Sequence, residues 1–248
     1  MRRMLYVLYQ PYKWLIFFPF LMLSTLFFGF LTVFLMTLSF SPRFVSGICG
    51  VWWSRINSFL TPMPVSVFGR ENIDPKCSYV IVSNHQSHYD IFVLYGWLGV
   101  DFKWVMKKEL RNIPALGLAC EKIGHIYIDR SNQKTALDSL STAKKKIRDG
   151  TSVLFFPEGT RSATKEMGEF KKGAFYMALD LGIPVLPITI IGTRDVLPPK
   201  TINLFPGRVK MIIHNPVEID GYTSENIEKM MSDIRAVIQR GLDATERK

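Results

Sequence analysis

Two histidines and an aspartate fall within six positions of the stretch "SNHQSHYDIF", residues 83–92, directly after the apolar run "YVIV". Three kinds of role suit such a set. His85, His88 and Asp90 are metal ligands by type, but a metal site needs more donors; only His125 and His214 remain, neither in a ligand-like cluster. A structural role ends a strand at Asn84, caps a helix with Ser87 or His88, and sets Asp90 against the positive helix end. A catalytic role pairs His85 with Asp90. Their spacing on one continuous helix would hold the two side chains about 140° apart, so they can meet only if His85 precedes the helix. Asp90 in the first helical turn would then take the Nδ1 proton of His85 and leave Nε2 free as a base.

A second constellation, "FFPEGTRS" at residues 155–162, also follows a buried, strand-like run. It lacks the GxxxxGK[ST] spacing of a phosphate-binding P-loop. Its glycine turn can nevertheless offer backbone N–H groups and the Arg161 guanidinium to an anion. A plain ion pair between Glu158 and Arg161 would account for the same residues.

Strands alternating with helices must position these segments. Strand-like runs are predicted at 63–69, 78–84, 102–107, in "HIYID" at 125–129, in "TSVLFFPEG" at 151–159, and in "IPVLPITIIG" and "RVKMIIHNPVEI". Helices are expected at "YDIFVLYGWLG", "IPALGLACEKIG", "QKTALDSLSTAKKKIRDG", which ends on basic residues and Gly150, "KKGAFYMALDLG", and Ser224 to about Ala244. Alternation of this kind implies an α/β domain whose sheet is mixed and partly parallel, flanked by helices.

The first sixty residues differ from the rest, dividing the chain into an N-terminal anchor, 1–60, and an α/β domain, 61–248. Trp14 to Phe40 carries no charge; as a helix it would reach roughly 40 Å, more than a hydrocarbon core. It is too long for the apolar part of a signal peptide, and "SFSPRF" lacks a small-x-small cleavage pattern. A retained helical membrane anchor is expected, either one spanning helix or a two-helix motif at the interface. The interruptions at Pro19 and Gly29, and the aromatic run around Trp52 and Trp53, favour the two-helix form.

Net charge is +10, and half of that excess comes from Arg2, Arg3, Lys13, Arg43 and Arg55, which fits attraction to cytoplasmic-side lipid. The remainder of the chain, 26 basic against 21 acidic residues, is too balanced to suggest nucleic acid and suits a phosphate-bearing substrate. Cys49, Cys77 and Cys120 are odd in number and far apart, as expected of free thiols rather than a disulfide framework or CxxC site.

"NHQSHYD" resembles the NHx4D block, and "FPEGTRS" the FPEG block, of the glycerolipid acyltransferases. "GHIYIDR" at 124–130 and "IPVLPI" at 183–188 are similar to two further blocks, and the four occur in the family's order over about 105 residues. Gln86 stands where many members carry arginine, and His88 is not part of the pattern.

The resemblance, nearest to bacterial members that act on 1-acylglycerol 3-phosphate, implies acyl transfer from acyl-CoA or acyl carrier protein to the sn-2 hydroxyl of this lysophosphatidic acid. It implies His85 and Asp90 as the catalytic pair, with no metal, cofactor or acyl-enzyme. Glu158, Gly159, Thr160 and Arg161 match the block assigned to the acyl acceptor, and Arg130 lies on another matching block. Lys171 and Lys172 could add charge at the same mouth. Ser83 and Ser87 flank the histidine, but the GxSxG elbow of a serine nucleophile is missing. An apolar tunnel for the donor chain is expected, with the site at the cytoplasmic face of the inner membrane. The same chemistry would serve another lysophospholipid or glycerol 3-phosphate, and a non-catalytic membrane lipid-binding protein could retain the fold.

Overall fold

The computed structural model describes residue 7 and residues 9–129, 144, 145, 147, 149–162 and 166–246. Arg130 and most of the helix expected at 133–150 lie outside the described residues.

Seven strands form one sheet: β1 (Val65–Phe68), β2 (Val80–Ser83), β3 (Phe102–Lys107), β4 (Ile126–Ile128), β5 (Ser152–Phe155), β6 (Val185–Ile191) and β7 (Val209–Ile213). Their order is β1-β7-β6-β2-β5-β3-β4. Every neighbouring pair is parallel except β6 and β7. The mixed, partly parallel sheet read from the alternating pattern is therefore the one observed. β2 and β5 are buried at every position, as a parallel sheet covered on both faces requires.

Side chains alternate between the two faces. Ile81 and Leu154 join Leu94 of α3 (Tyr89–Trp97) in one core, while Val80, Val82 and Val153 join Phe175 of α5 (Gly173–Leu181) and Ile234 of α7 (Ile227–Glu246) in the other. The remaining short α-helices of the domain among the described residues are α4 (Leu116–Lys122) and the single turn α6 (Thr193–Val196).

Before the sheet comes a pair of helices. α1 (Tyr9–Thr37) is long and apolar enough to cross a membrane. α2 runs through Pro42–Val45, the π-turn Ser46–Gly50 and Val51–Leu60. Polarity in this pair is inside out. The buried residues of α1 past the first turns are Ser24, Gly29 and Thr32, and those of the last part of α2 are Ser54, Asn57 and Ser58. Asn57 Nδ2 donates to Ser24 Oγ at 3.1 Å, and Trp53 Nε1 donates to Thr25 Oγ1 at 3.1 Å. Leu23, Phe27, Phe30 and Phe34, spaced by three or four, form an exposed stripe on α1 that Leu38 at its C-cap continues; Phe44, Trp52 and Phe59 are exposed on α2.

The helix pair is fastened to the domain. The Trp53 ring meets Phe92 of α3 at 4.9 Å, and Arg55 Nε donates to Gly96 O at 2.8 Å. Gly50 lies so close to the Tyr95 ring that a Cβ there would fall 2.1 Å from it. Phe17 belongs to the same core as the sheet residues Ile81 and Leu186.

Candidate active site

The C-terminal ends of three adjacent parallel strands, β6, β2 and β5, converge, which is where open α/β sheets bind their ligands. Asn84 closes β2. Its Nδ2 donates to Ile190 O and its Oδ1 accepts from Ile190 N, both at 2.8 Å, so the amide side chain extends the strand pairing by one step. The chain then turns, and His85 stands outside the helix that begins at Tyr89.

The His85 Nδ1 lies 2.9 Å from Asp90 Oδ2. Asp90 is fully buried. Its Oδ2 also accepts from Gln86 N at 2.7 Å and Ser87 N at 2.9 Å, and its Oδ1 accepts from the Thr193 hydroxyl. A carboxyl group so supplied with donors is fixed in place, and the remaining His85 Nδ1–H is its natural fourth donor. The proton therefore sits on Nδ1, and Nε2 carries the lone pair. The imidazole stacks on Phe156, ring centroids 3.8 Å apart, and remains 15% exposed.

The loop after β5 grips the main chain of His85 from both sides. Glu158 Oε1 accepts from His85 N at 2.8 Å, while Ser162 N donates to His85 O at 2.9 Å. Glu158 Oε2 accepts from Gly168 N at 2.8 Å. Burial raises the pKa of the Glu158 carboxyl above the usual range, partly offset by these two N–H groups. Both its oxygens are thus occupied by main chain, and Glu158 orients the histidine turn.

Gly159 has φ +72°, and a Cβ there would come 3.1 Å from Lys171 Nζ. Thr160 and Arg161 follow at the mouth of the site and line the cavity described below. The Arg161 guanidinium, half-buried, forms no ion pair with a carboxylate among the described residues. Lys172 instead pairs with Glu228 at the start of α7, Nζ to Oε1 3.0 Å. Of the residues singled out in the sequence, the fold brings His85, Asp90, Glu158, Gly159, Thr160, Arg161 and Lys171 together, and leaves Lys172 facing α7. The flanking hydroxyls are engaged elsewhere: Ser83 Oγ donates to Asn84 O at 3.2 Å and Ser87 Oγ to Leu197 O at 2.7 Å.

From this mouth a cavity of about 670 Å³ runs between the sheet and the helix pair. Its walls are largely apolar: Phe28 and Gly29 of α1, Cys49 and Trp53 of α2, Ile91 of α3, Trp104 and Met106 of β3, and Phe156. His85 and His88 are among the lining residues at one end. His125 lies within the fold, its Nδ1 accepting from Trp104 N at 3.2 Å and its Nε2 2.9 Å from the Tyr95 hydroxyl. His214 pairs with Thr189 at 2.8 Å.

Sequence reasoning missed Thr193 and Phe156. The signal for Thr193 was the glycine turn "IGTRD" at the end of a buried strand; Phe156 reads simply as part of an apolar run.

The sequence model of the family described as Acyltransferase matches residues 64–191, just over half of the chain. The chain belongs to the acyltransferase family. Over 153 residues, 60% of this chain, it is 40% identical to a chloroplastic 1-acyl-sn-glycerol-3-phosphate acyltransferase of Brassica napus, of which the match covers 44%. Over 84% of this chain it is 30% identical to the 1-acyl-sn-glycerol-3-phosphate acyltransferase of Saccharomyces cerevisiae, of which 70% is covered. The chain spans less than half the length of the first plant and algal relatives it matches. The crystal structure of the 1-acyl-sn-glycerophosphate (LPA) acyltransferase PlsC from Thermotoga maritima is similar throughout, with TM-score 0.83 and 26% identity over 100% of this chain and 99% of that one. Within this acyltransferase, the matched region contains His85, Asp90, Glu158 and Arg161 together with strands β1 to β6.

Proposed function

We propose that this acyltransferase moves an acyl chain from acyl-CoA or acyl carrier protein to the sn-2 hydroxyl of 1-acylglycerol 3-phosphate, giving phosphatidic acid. The observation that carries this reading is a His85 base oriented by a buried Asp90, standing between a largely apolar cavity and an Arg161 that pairs with no carboxylate among the described residues. His85 Nε2 accepts the proton of the acceptor hydroxyl as that oxygen attacks the thioester carbonyl. Asp90 stabilises the imidazolium that forms. Collapse of the tetrahedral adduct breaks the C–S bond, and the departing thiolate takes the proton back from Nε2. Direct attack needs no acyl-enzyme, consistent with Ser83 and Ser87 being tied to main-chain carbonyls. The cavity suits an acyl chain, and Arg161 with Lys171 suits the acceptor phosphate.

Residues 1–60 are proposed as the anchor and 61–248 as the catalytic domain, with α1 and α2 seated as a two-helix motif at the cytoplasmic face of the inner membrane. Helices that bury serine, asparagine and glycine and expose phenylalanine and tryptophan have the polarity of a pair bathed in lipid. Soluble acyl thioesters are cytosolic, which favours that face. Because both acceptor and product are lipids, a cavity walled by these helices lets them move between site and bilayer without crossing water.

The test is conversion of 1-acylglycerol 3-phosphate in detergent or liposomes by the intact protein and by His85→Ala, with each donor offered separately. Product from the intact protein and a loss of at least about 100-fold in the variant are expected. Equal turnover by the variant would remove His85 from the chemistry.

A further inference from the structure

The His88 side chain has no hydrogen-bond partner among the described residues. The residue occupies the N-cap position of α3 without a side-chain capping bond. Its side chain nevertheless lines the mouth of the cavity together with His85, Gly159, Thr160 and Arg161. The His88 imidazole thus shares the cavity lining with Arg161, whose charge acts on it, while the Lys171 ammonium lies beside Gly159 of the same lining, and neither cation pairs with a carboxylate among the described residues.

We propose that His88 is a headgroup ligand: with Arg161 and Lys171 it takes the phosphate monoester of the acyl acceptor and favours it over phosphodiester headgroups. This inference rests on the acceptor reading above and assigns that site a residue outside the motif that carries it. A phosphate monoester bears nearly two negative charges at neutral pH and three strong acceptor oxygens. A phosphodiester has one charge and no second ionisation near pH 6, so it gains less from a third donor.

The electrostatics supply a readout. The groups facing His88 are Arg161, His85 and Asp90. Its side chain is exposed at the mouth, and partial desolvation there, then the positive charge of Arg161, lowers its pKa to about 4, which favours the neutral imidazole before a ligand arrives. An incoming phosphate offsets Arg161 and raises that pKa, so binding draws in a proton as pH falls. His88 thereby adds a pH-dependent increment to monoester affinity, larger at pH 6 than at pH 8.

The experiment measures Kd and KM in detergent micelles for 1-acylglycerol 3-phosphate and for a lysophospholipid with a phosphodiester headgroup. It compares the intact protein with His88→Gln and His88→Ala, each first checked by thermal midpoint. Loss of a hydrogen bond to a charged group predicts about a 10-fold weaker monoester, falling mainly on KM rather than kcat. The phosphodiester should change by much less, and the monoester gap between intact protein and His88→Gln should widen from pH 8 to pH 6. Unchanged monoester affinity, or equal weakening of both headgroups, would overturn the assignment. Tight, His88-dependent monoester binding without turnover by the intact protein would support the headgroup site and remove the transferase reading.

Discussion

Replacing Asp90 by asparagine separates the charge of the carboxylate from its shape. Oδ2 is pinned by two backbone N–H groups, from Gln86 and Ser87, so the asparagine oxygen must take that place. The amide NH2 then faces Thr193, whose hydroxyl turns from donor to acceptor. His85 keeps its Nδ1–H bond and its tautomer, and the protein stays folded. What disappears is the attraction between carboxylate and imidazolium. Across the 2.9 Å contact, at an effective dielectric of about 20, two full charges attract by about 6 kcal/mol. With the proton about half transferred at the transition state, about 3 kcal/mol is forfeited, which lowers kcat on the order of 100-fold. Asp90→Ala should behave differently, because it strands two buried N–H groups and costs about 2–6 kcal/mol of stability. The assay is turnover of 1-acylglycerol 3-phosphate alongside thermal midpoints. An Asp90→Asn protein that melts like the parent and works within about threefold of it would refute the charge argument and reduce Asp90 to a clamp on the turn.

Three further outcomes follow from the geometry. Glu158 has a pKa raised chiefly by burial, so the folded protein binds its proton more tightly than the unfolded chain does; its contribution to stability is greatest at low pH and is lost as pH rises through the folded pKa. The thermal midpoint of the parent, relative to Glu158→Gln, should therefore improve from pH 7 towards pH 4.5; a difference that shrinks on acidification would contradict this. Gly159→Ala forces a left-handed φ of +72° on an alanine and crowds the flexible end of Lys171; a loss of about 1 kcal/mol, or 2–4 °C in midpoint, is expected by calorimetry. Changing Phe27, Phe30 and Phe34 together to serine strips the outer stripe of α1 without touching its buried face. Vesicle co-sedimentation should fall by at least about 100-fold, since each buried phenylalanine is worth about 1.5–3 kcal/mol; unchanged binding would place the lipid contact elsewhere.

Local pattern is a strong guide where each residue's environment is set by near neighbours. The strands β2, β5 and β6 were legible because their β-branched and apolar runs end at glycine, proline or asparagine, and such runs suit a sheet covered on both faces. His85 and Asp90 were legible as a pair because the geometry of one helix forbids their contact unless the histidine precedes it. The last helix was read from Ser224 and begins at Ile227, since helix ends depend on local capping that hydrophobic period alone does not fix. The inside-out polarity of α1 could not be read, because a nearly uniform apolar run gives no face until a partner is present; Asn57 supplies it.

The sequence by itself determined the alternation of strands and helices, the apolar N-terminal segment, and the short-range pairing of His85 with Asp90, all governed by periodicity over a few residues. Only the tertiary structure decided that β7 runs against β6, that Glu158 serves the main chain of His85, and that Thr193 completes the shell of Asp90. It also decided that Lys171 and Lys172, adjacent in the chain, turn to Gly159 and Glu228 respectively. The side-chain contacts of Glu158, Thr193 and Lys172 join segments 56 to 103 residues apart. Their partners are chosen by how the strands are ordered in the sheet, which no local spacing encodes.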